Sequence, residues 1–146
     1  MNNRLTCLEG TLDFEEEIHT QSINIIAFRQ GQVININRDK LLPGQTFSAH
    51  MSLQLDKAQK IFNQFSFVKM DEFRGDAFFA ETIQIIFTFN AGNNKKVWQV
   101  TFATCSNGGE IMNFTSVYPD EESMHSEISR LWHCVQHFVL STKKQN

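Results

Sequence analysis

QSINIIAF, residues 21–28, carries bulky apolar side chains on both faces if it is a strand. Side chains alternate along a strand, so Ile23, Ile25 and Ala27 point one way and Ser22, Asn24, Ile26 and Phe28 the other. A half-buried antiparallel strand alternates apolar with polar residues instead. One face of this stretch must therefore meet the protein's own core, and something else must cover the second. Gly31 follows, and then QVININR sets Val33, Asn35 and Asn37 against Ile34 and Ile36. The two stretches read as a hairpin turning at residues 29–31.

Upstream, Leu5 to Phe14 reads as two short strands broken near Glu9 and Gly10. Downstream, LLPGQT stops the strand and starts something new, with Thr46 placed as an N-cap. Phe47, Met51, Leu55, Ala58 and Phe62 then recur at helical spacing, so residues 47–63 form an amphipathic helix, with Gln54 and Ile61 bordering its stripe. Four strands follow, at residues 65–73, 77–89, 95–104 and 110–117. The turns between them are rich in Asn and Gly, as tight hairpins require. YPDEES opens a last helix, with Met124, Ile128, Leu131, Trp132, Val135, Phe138 and Val139 on its stripe. Asp120, Glu121 and Glu122 stand at its N-terminus, where the helix dipole favours acids. The order predicts an α+β fold: an antiparallel sheet of about seven strands flanked by two main helices. The sheet offers more apolar face than two helices can cover.

The 146 residues suit a single domain, 1–146. Fourteen phenylalanines stand against one tyrosine, so the rings fill a core or line a greasy surface. The formal charge is −3 and the lysines are scattered, which argues against a nucleic acid partner and against an anionic membrane surface. The N-terminus has no apolar run of signal-peptide length, and no run approaches a membrane span. Cys7, Cys105 and Cys134 have no paired spacing. These features predict a soluble cytoplasmic protein with reduced thiols.

Little points to catalysis. His133 and His137, four apart on the last helix, could share a metal, but no third ligand is close except Cys134, which points about 100° away round the helix. A surface role is the plainer reading. Glu15, Glu16 and Glu17 read as a solvated loop, and nothing pairs Asp13 with Glu81 as acid and base. GNNKK lacks the glycine spacing and hydroxyl of a phosphate loop. No cysteine sits in a nucleophile signature. Neither enzyme activity, a cofactor nor a metal is expected. Two glutamines stand apart from this bland pattern. Gln54 lies at the rim of the helical stripe, and Gln99 lies mid-strand in VWQVTF beside Val97 and Thr101. A mid-sheet glutamine is costly to bury unpaired. These two are either solvated or paired core amides, or they are placed in an apolar groove to bond a ligand.

QSINIIAF, ININRD, the helix opening TFSAHMSLQLDKAQKIF and the strand VWQVTF, in that order, resemble the DcrB-like family, and within it the Eag chaperones of bacterial type VI secretion. The resemblance implies a Mog1/PsbP-like fold. It implies a homodimeric, non-enzymatic chaperone that shields the N-terminal transmembrane helices of a PAAR-containing effector and helps load it onto the spike, without itself entering the membrane. It implies an effector-binding groove formed by Ile23, Ile25, Gln54, Ala58, Phe62 and Gln99, with Arg38 and Asp39 serving structure. Residues 71–81 match the family loosely, and His50 and Met51 depart from its usual helix, so cargo choice is the property least specified. Other readings are a binding module for a soluble partner, whether Mog1-like or an immunity protein, and a small enzyme or carrier with its ligand in the sheet–helix cavity.

Overall fold

The structure, a computed structural model, describes residues 2–7, 9–73 and 79–139. The strands are β1 (Arg4–Cys7), β2 (Gly10–Asp13), β3 (Ile23–Ile26), β4 (Ile34–Lys40), β5 (Ser66–Glu72), β6 (Glu81–Asn90), β7 (Lys96–Cys105) and β8 (Glu110–Tyr118). Helix α1 (Phe47–Ile61) follows β4, and α2 (Glu121–Gln136) follows β8. The strands divide in two. β1 and β2 form a separate hairpin, while the other six make one antiparallel sheet in the order β3-β4-β8-β7-β6-β5. The α+β architecture with two flanking helices is the one the hydrophobic periods predict. The expected start, at Ala77, of the strand ending in Phe89 lies outside the described residues.

The caps follow from local chemistry. Thr46 Oγ1 accepts from the Ala49 amide at 3.1 Å and closes the start of α1. Asp120 does the same for α2, accepting from the Ser123 amide at 2.7 Å. That bond to the amide holds the Asp120 carboxyl below its ordinary range.

Alternation along the strands gives the sheet two unlike faces. On one, Val100, Phe102, Phe114 and Tyr118 pack against Met124, Leu131 and Val135 of α2. All are buried. On the other, Ile83, Ile85, Phe87, Ala103, Cys105 and Ile111 pack beneath Phe47 and Met51 of α1. The backbone of α2 approaches β7 and β8 closely, whereas that of α1 stands farther off the sheet. Only the N-terminal half of α1 is deeply buried, through Phe47, His50 and Met51. Ile61, expected at the stripe's border, is 75% exposed, because it falls on the far side of the last turn.

The β3–β4 hairpin is fastened to α2, not to α1. Arg130 Nη1 donates to the Gln30 carbonyl at 2.6 Å, and the Gln32 amide donates to Glu127 Oε1 at 3.2 Å. The Arg130 guanidinium also lies 4.6 Å from the centre of the Phe28 ring. Gly31 sits between these bonds with φ +105°, and a Cβ there would collide with Arg130 Nη1 and Glu127 Oε1. The positive φ favours glycine, and a Cβ would push aside the side-chain ends of Arg130 and Glu127 that hold the turn.

Candidate functional site

With the hairpin fixed this way, the two faces of QSINIIAF separate. Ile26 and Phe28 pack against the α2 core, while Ile23 and Ile25 are 61% and 68% exposed on the α1 side. β3 is an edge strand, and α1 does not reach over it. Adjacent strands lie about 4.8 Å apart, so β3, β4 and β8 present a strip about 10 Å wide, close to the diameter of one helix.

Rows of paired residues cross this face. Ile25 lies beside Asn35, then Thr115, Thr101 and Ile85. Ile23 lies beside Asn37, then Asn113 and Ala103. Each row thus begins with an exposed isoleucine, crosses polar side chains, and ends in the apolar floor under α1. Between the polar stretch and the helix runs a groove of about 200 Å³. Gln54 and Ala58 line it from α1, Phe62 from the helix's C-cap, and Gln99 and Phe87 from the sheet. The structure brings four of the six residues expected to bind a client, Gln54, Ala58, Phe62 and Gln99, to one groove. Ile23 and Ile25 stand on the same face at its open side, one strand away from Asn37.

Hydrogen bonding on the floor is incomplete. Thr101 and Thr115 share a hydroxyl bond of 2.8 Å, and Asn113 Nδ2 donates to Asn37 Oδ1 at 2.9 Å. Asn113 Oδ1 is buried without a donor. Among the described residues, the half-buried amides of Gln54 and Gln99 have no hydrogen-bond partner. Buried polar groups are nearly always paired, so Asn113 Oδ1 is an exception, while the half-buried Gln54 and Gln99 amides beside it remain open to solvent. Phe62 forms the apolar wall, with its ring 4.4 Å from that of Phe89 and 5.5 Å from that of Phe87.

Asn37, Asn113, Thr101 and Thr115 are groove residues that sequence reasoning did not single out. A signal existed: ININ places asparagines at every second position of a central strand, where a core would want apolar groups. Arg38 Nη1 donates to the Ser22 carbonyl at 3.4 Å, and Asp39 Oδ1 accepts from the Lys40 amide at 2.8 Å. Asp39 Oδ2 also lies 3.6 Å from Nε2 of His50, a buried nitrogen without a hydrogen-bond partner.

The other candidates are dispersed. Asp13 pairs with Arg4 at 2.6 Å in the outlying hairpin. His133 and His137 stack face to face on the surface, 3.8 Å between ring centres. No group of three or more His, Cys, Asp or Glu suited to a metal occurs among the described residues. Burial pushes the Cys105 thiol up, with Glu81 adding to the effect, and burial pushes up Cys134 against the opposing charge of Arg130. Thiols held protonated this way are poor nucleophiles. No described helix is long and apolar enough to cross a membrane.

Comparison with known proteins agrees with this architecture. The crystal structure of a Pseudomonas aeruginosa protein of unknown function matches over 96% of this chain and 97% of its own, with a TM-score of 0.70 and 14% identity. At that identity the likeness speaks for the fold alone. No curated protein matches the sequence. The family model for DcrB matches residues 9–135, from the outlying hairpin to the last turn of α2, and this chain belongs to the DcrB family.

Proposed function

We propose that this protein is a chaperone for type VI secretion effectors, binding the N-terminal transmembrane helices of a PAAR-containing effector and keeping them from aggregating in the cytoplasm until loading. The observation that carries the reading is the exposure of Ile23 and Ile25 beside a groove with open amides. A transmembrane helix in water exposes apolar area costing about 25 cal/mol per Å², and a matching apolar wall removes that cost. Ile23, Ile25 and Phe62 supply the wall. Gln54 and Gln99 both donate and accept, so they read the polar groups of a helix surface. Ala58 leaves room for close approach, as small residues do between membrane helices. The protein performs no catalysis in this reading, needs no cofactor, and works as a homodimer whose second copy doubles the wall.

Co-expression with the N-terminal helical region of a candidate effector tests this. A tagged chaperone purified without detergent should carry the helical region with it, with a mass by light scattering of two chaperones per client. A client left in the membrane or pellet beside a lone chaperone would sink the reading. The polar floor favours one rival, a binding module for a soluble protein segment. That rival predicts capture of a hydrophilic fragment and no rescue of the apolar one.

A further inference from the structure

β4 runs on past the start of β3. Their pairing ends with Ile23 opposite Asn37, while β4 stays paired with β8 as far as Lys40 opposite Glu110. Residues 19–22 turn away there and leave a cleft of about 260 Å³, lined by themselves and by residues 38–40. Three consecutive strand residues line it, so it lies along the strand edge and not on one face. The Leu41 amide bonds the Gly109 carbonyl on the β8 side, so by alternation the backbone groups of Arg38 and Lys40 face the cleft. Among the described residues no strand meets them there. The cleft is also basic, on a protein of formal charge −3. Arg38 and Lys40 line it beside His19, and among the described residues none of the three is in an ion pair. Glu110, the cross-strand neighbour of Lys40, stays beyond ion-pair reach. Asp39, the acid in the lining, is engaged elsewhere: Oδ1 takes the Lys40 amide and Oδ2 faces His50. Half-buried Arg38 spends one donor on the Ser22 carbonyl, and the rest of its fork suits a carboxylate.

We infer that this cleft holds a short, extended, acidic segment of a partner protein, laid along β4 where β3 has turned away. The backbone of the segment meets that of Arg38 and Lys40, and its carboxylates meet their side chains. Arg38 and Lys40 are two apart and share one side of the strand, so they select acids at alternate positions, in the order acid–neutral–acid. An acid in the middle faces Asp39, like charge against like. The cleft ends at Ser22, directly before exposed Ile23, so such a segment continues onto the open strip beside the groove. In the chaperone reading above it is the flank of the client's apolar helix. That use rests on the reading; the acid-selective cleft does not.

The test titrates the full chain with soluble probes and follows backbone amide shifts by NMR. Two are glycine-flanked peptides of equal charge, one carrying Glu-Gln-Glu and the other Glu-Glu-Gln; the third is inorganic phosphate. Glu-Gln-Glu should shift the amides of residues 38–40 and bind about fivefold tighter than Glu-Glu-Gln. Arg38→Gln and Lys40→Gln should each abolish that preference, with circular dichroism checking that the variants fold. Equal binding of the two orders in the wild-type protein would overturn the inference, whatever the variants do. So would phosphate competing as well as the peptide, a preference that survives both substitutions, or no binding at millimolar peptide. Joining Glu-Gln-Glu to an apolar helix then tests the link to the client. If no apolar helix is captured in any form, the chaperone reading fails while the peptide result stands; if the helix is captured with either order alike, the reading stands and the link fails.

Discussion

The two faces of the sheet are built from the same strands and finished differently. Under α2, Val100 and Val135 are fully buried, and aromatic rings interlock, with Trp132 5.0 Å from both Phe73 and Phe102. Under α1, the same β7 and β8 turn Gln99, Thr101, Asn113 and Thr115 toward a groove, and β4 adds Asn37. One face is sealed along its length, while the other is sealed beneath the first turns of α1 and open beyond them. The helices differ accordingly. α2 buries residues along its length at Met124, Leu131 and Val135, while α1 is anchored by its first turns and leaves Leu55, Ala58 and Phe62 half-open. The folding free energy comes from the α2 core together with the smaller core under the first turns of α1, and the open strip beyond contributes little.

Substitutions on the two faces should therefore separate stability from binding. The largest effect belongs to the sealed face: Phe102→Ala should lower the unfolding free energy by about 3–5 kcal/mol in chemical denaturation, since the ring is 1% exposed and its neighbours cannot collapse into the space. A loss under about 1 kcal/mol would mean that the α2 core is looser than its burial indicates. On the open face, Ile25→Asp should abolish capture of an apolar helical client while shifting the stability of the free protein by no more than about 1 kcal/mol. Global unfolding of that variant would place Ile25 in the core after all. Between the two faces stands the turn that fastens β3 to α2. Gly31→Ala should cost about 1–3 kcal/mol, from a disfavoured backbone and displaced Arg130 and Glu127 side chains. It should weaken client capture too, because Ile23 and Ile25 lose their fixed position.

How far this division is legible in the sequence depends on which physical rule is at work. Period-two and period-3.6 patterns mark the strands and helices, and Thr46 marks the start of α1, because local backbone chemistry decides them. The split of Ile23 and Ile25 from Ile26 and Phe28 is written in alternation. Which of those faces meets the core is not, since both are apolar; that is settled a hundred residues away, where Glu127 and Arg130 hold the hairpin turn. The detachment of β1 and β2 from the main sheet is likewise a tertiary outcome. Asn37 and Asn113 become groove residues only through β4–β8 pairing, a long-range register that no local pattern announces.

The smallest expected effect is also the most discriminating about how the open face works. Gln54→Ala and Gln99→Ala should each weaken client binding by roughly 0.5–1.5 kcal/mol, the net worth of one hydrogen bond, and leave thermal stability unchanged. The amides stand on opposite sides of the groove, Gln54 on α1 and Gln99 on β7. If both bond the same client group, removing the second costs little once the first is gone, and the double variant loses less than the sum. If they bond different groups of a helix lying in the groove, the losses add. Titration calorimetry on the two single variants and the double one distinguishes these cases. Unchanged affinity in all three would leave the apolar wall of Ile23, Ile25 and Phe62 as the whole of the recognition. The polar floor would then serve only to keep the empty groove hydrated, and the contrast between the two faces would be one of exposure, not of chemistry.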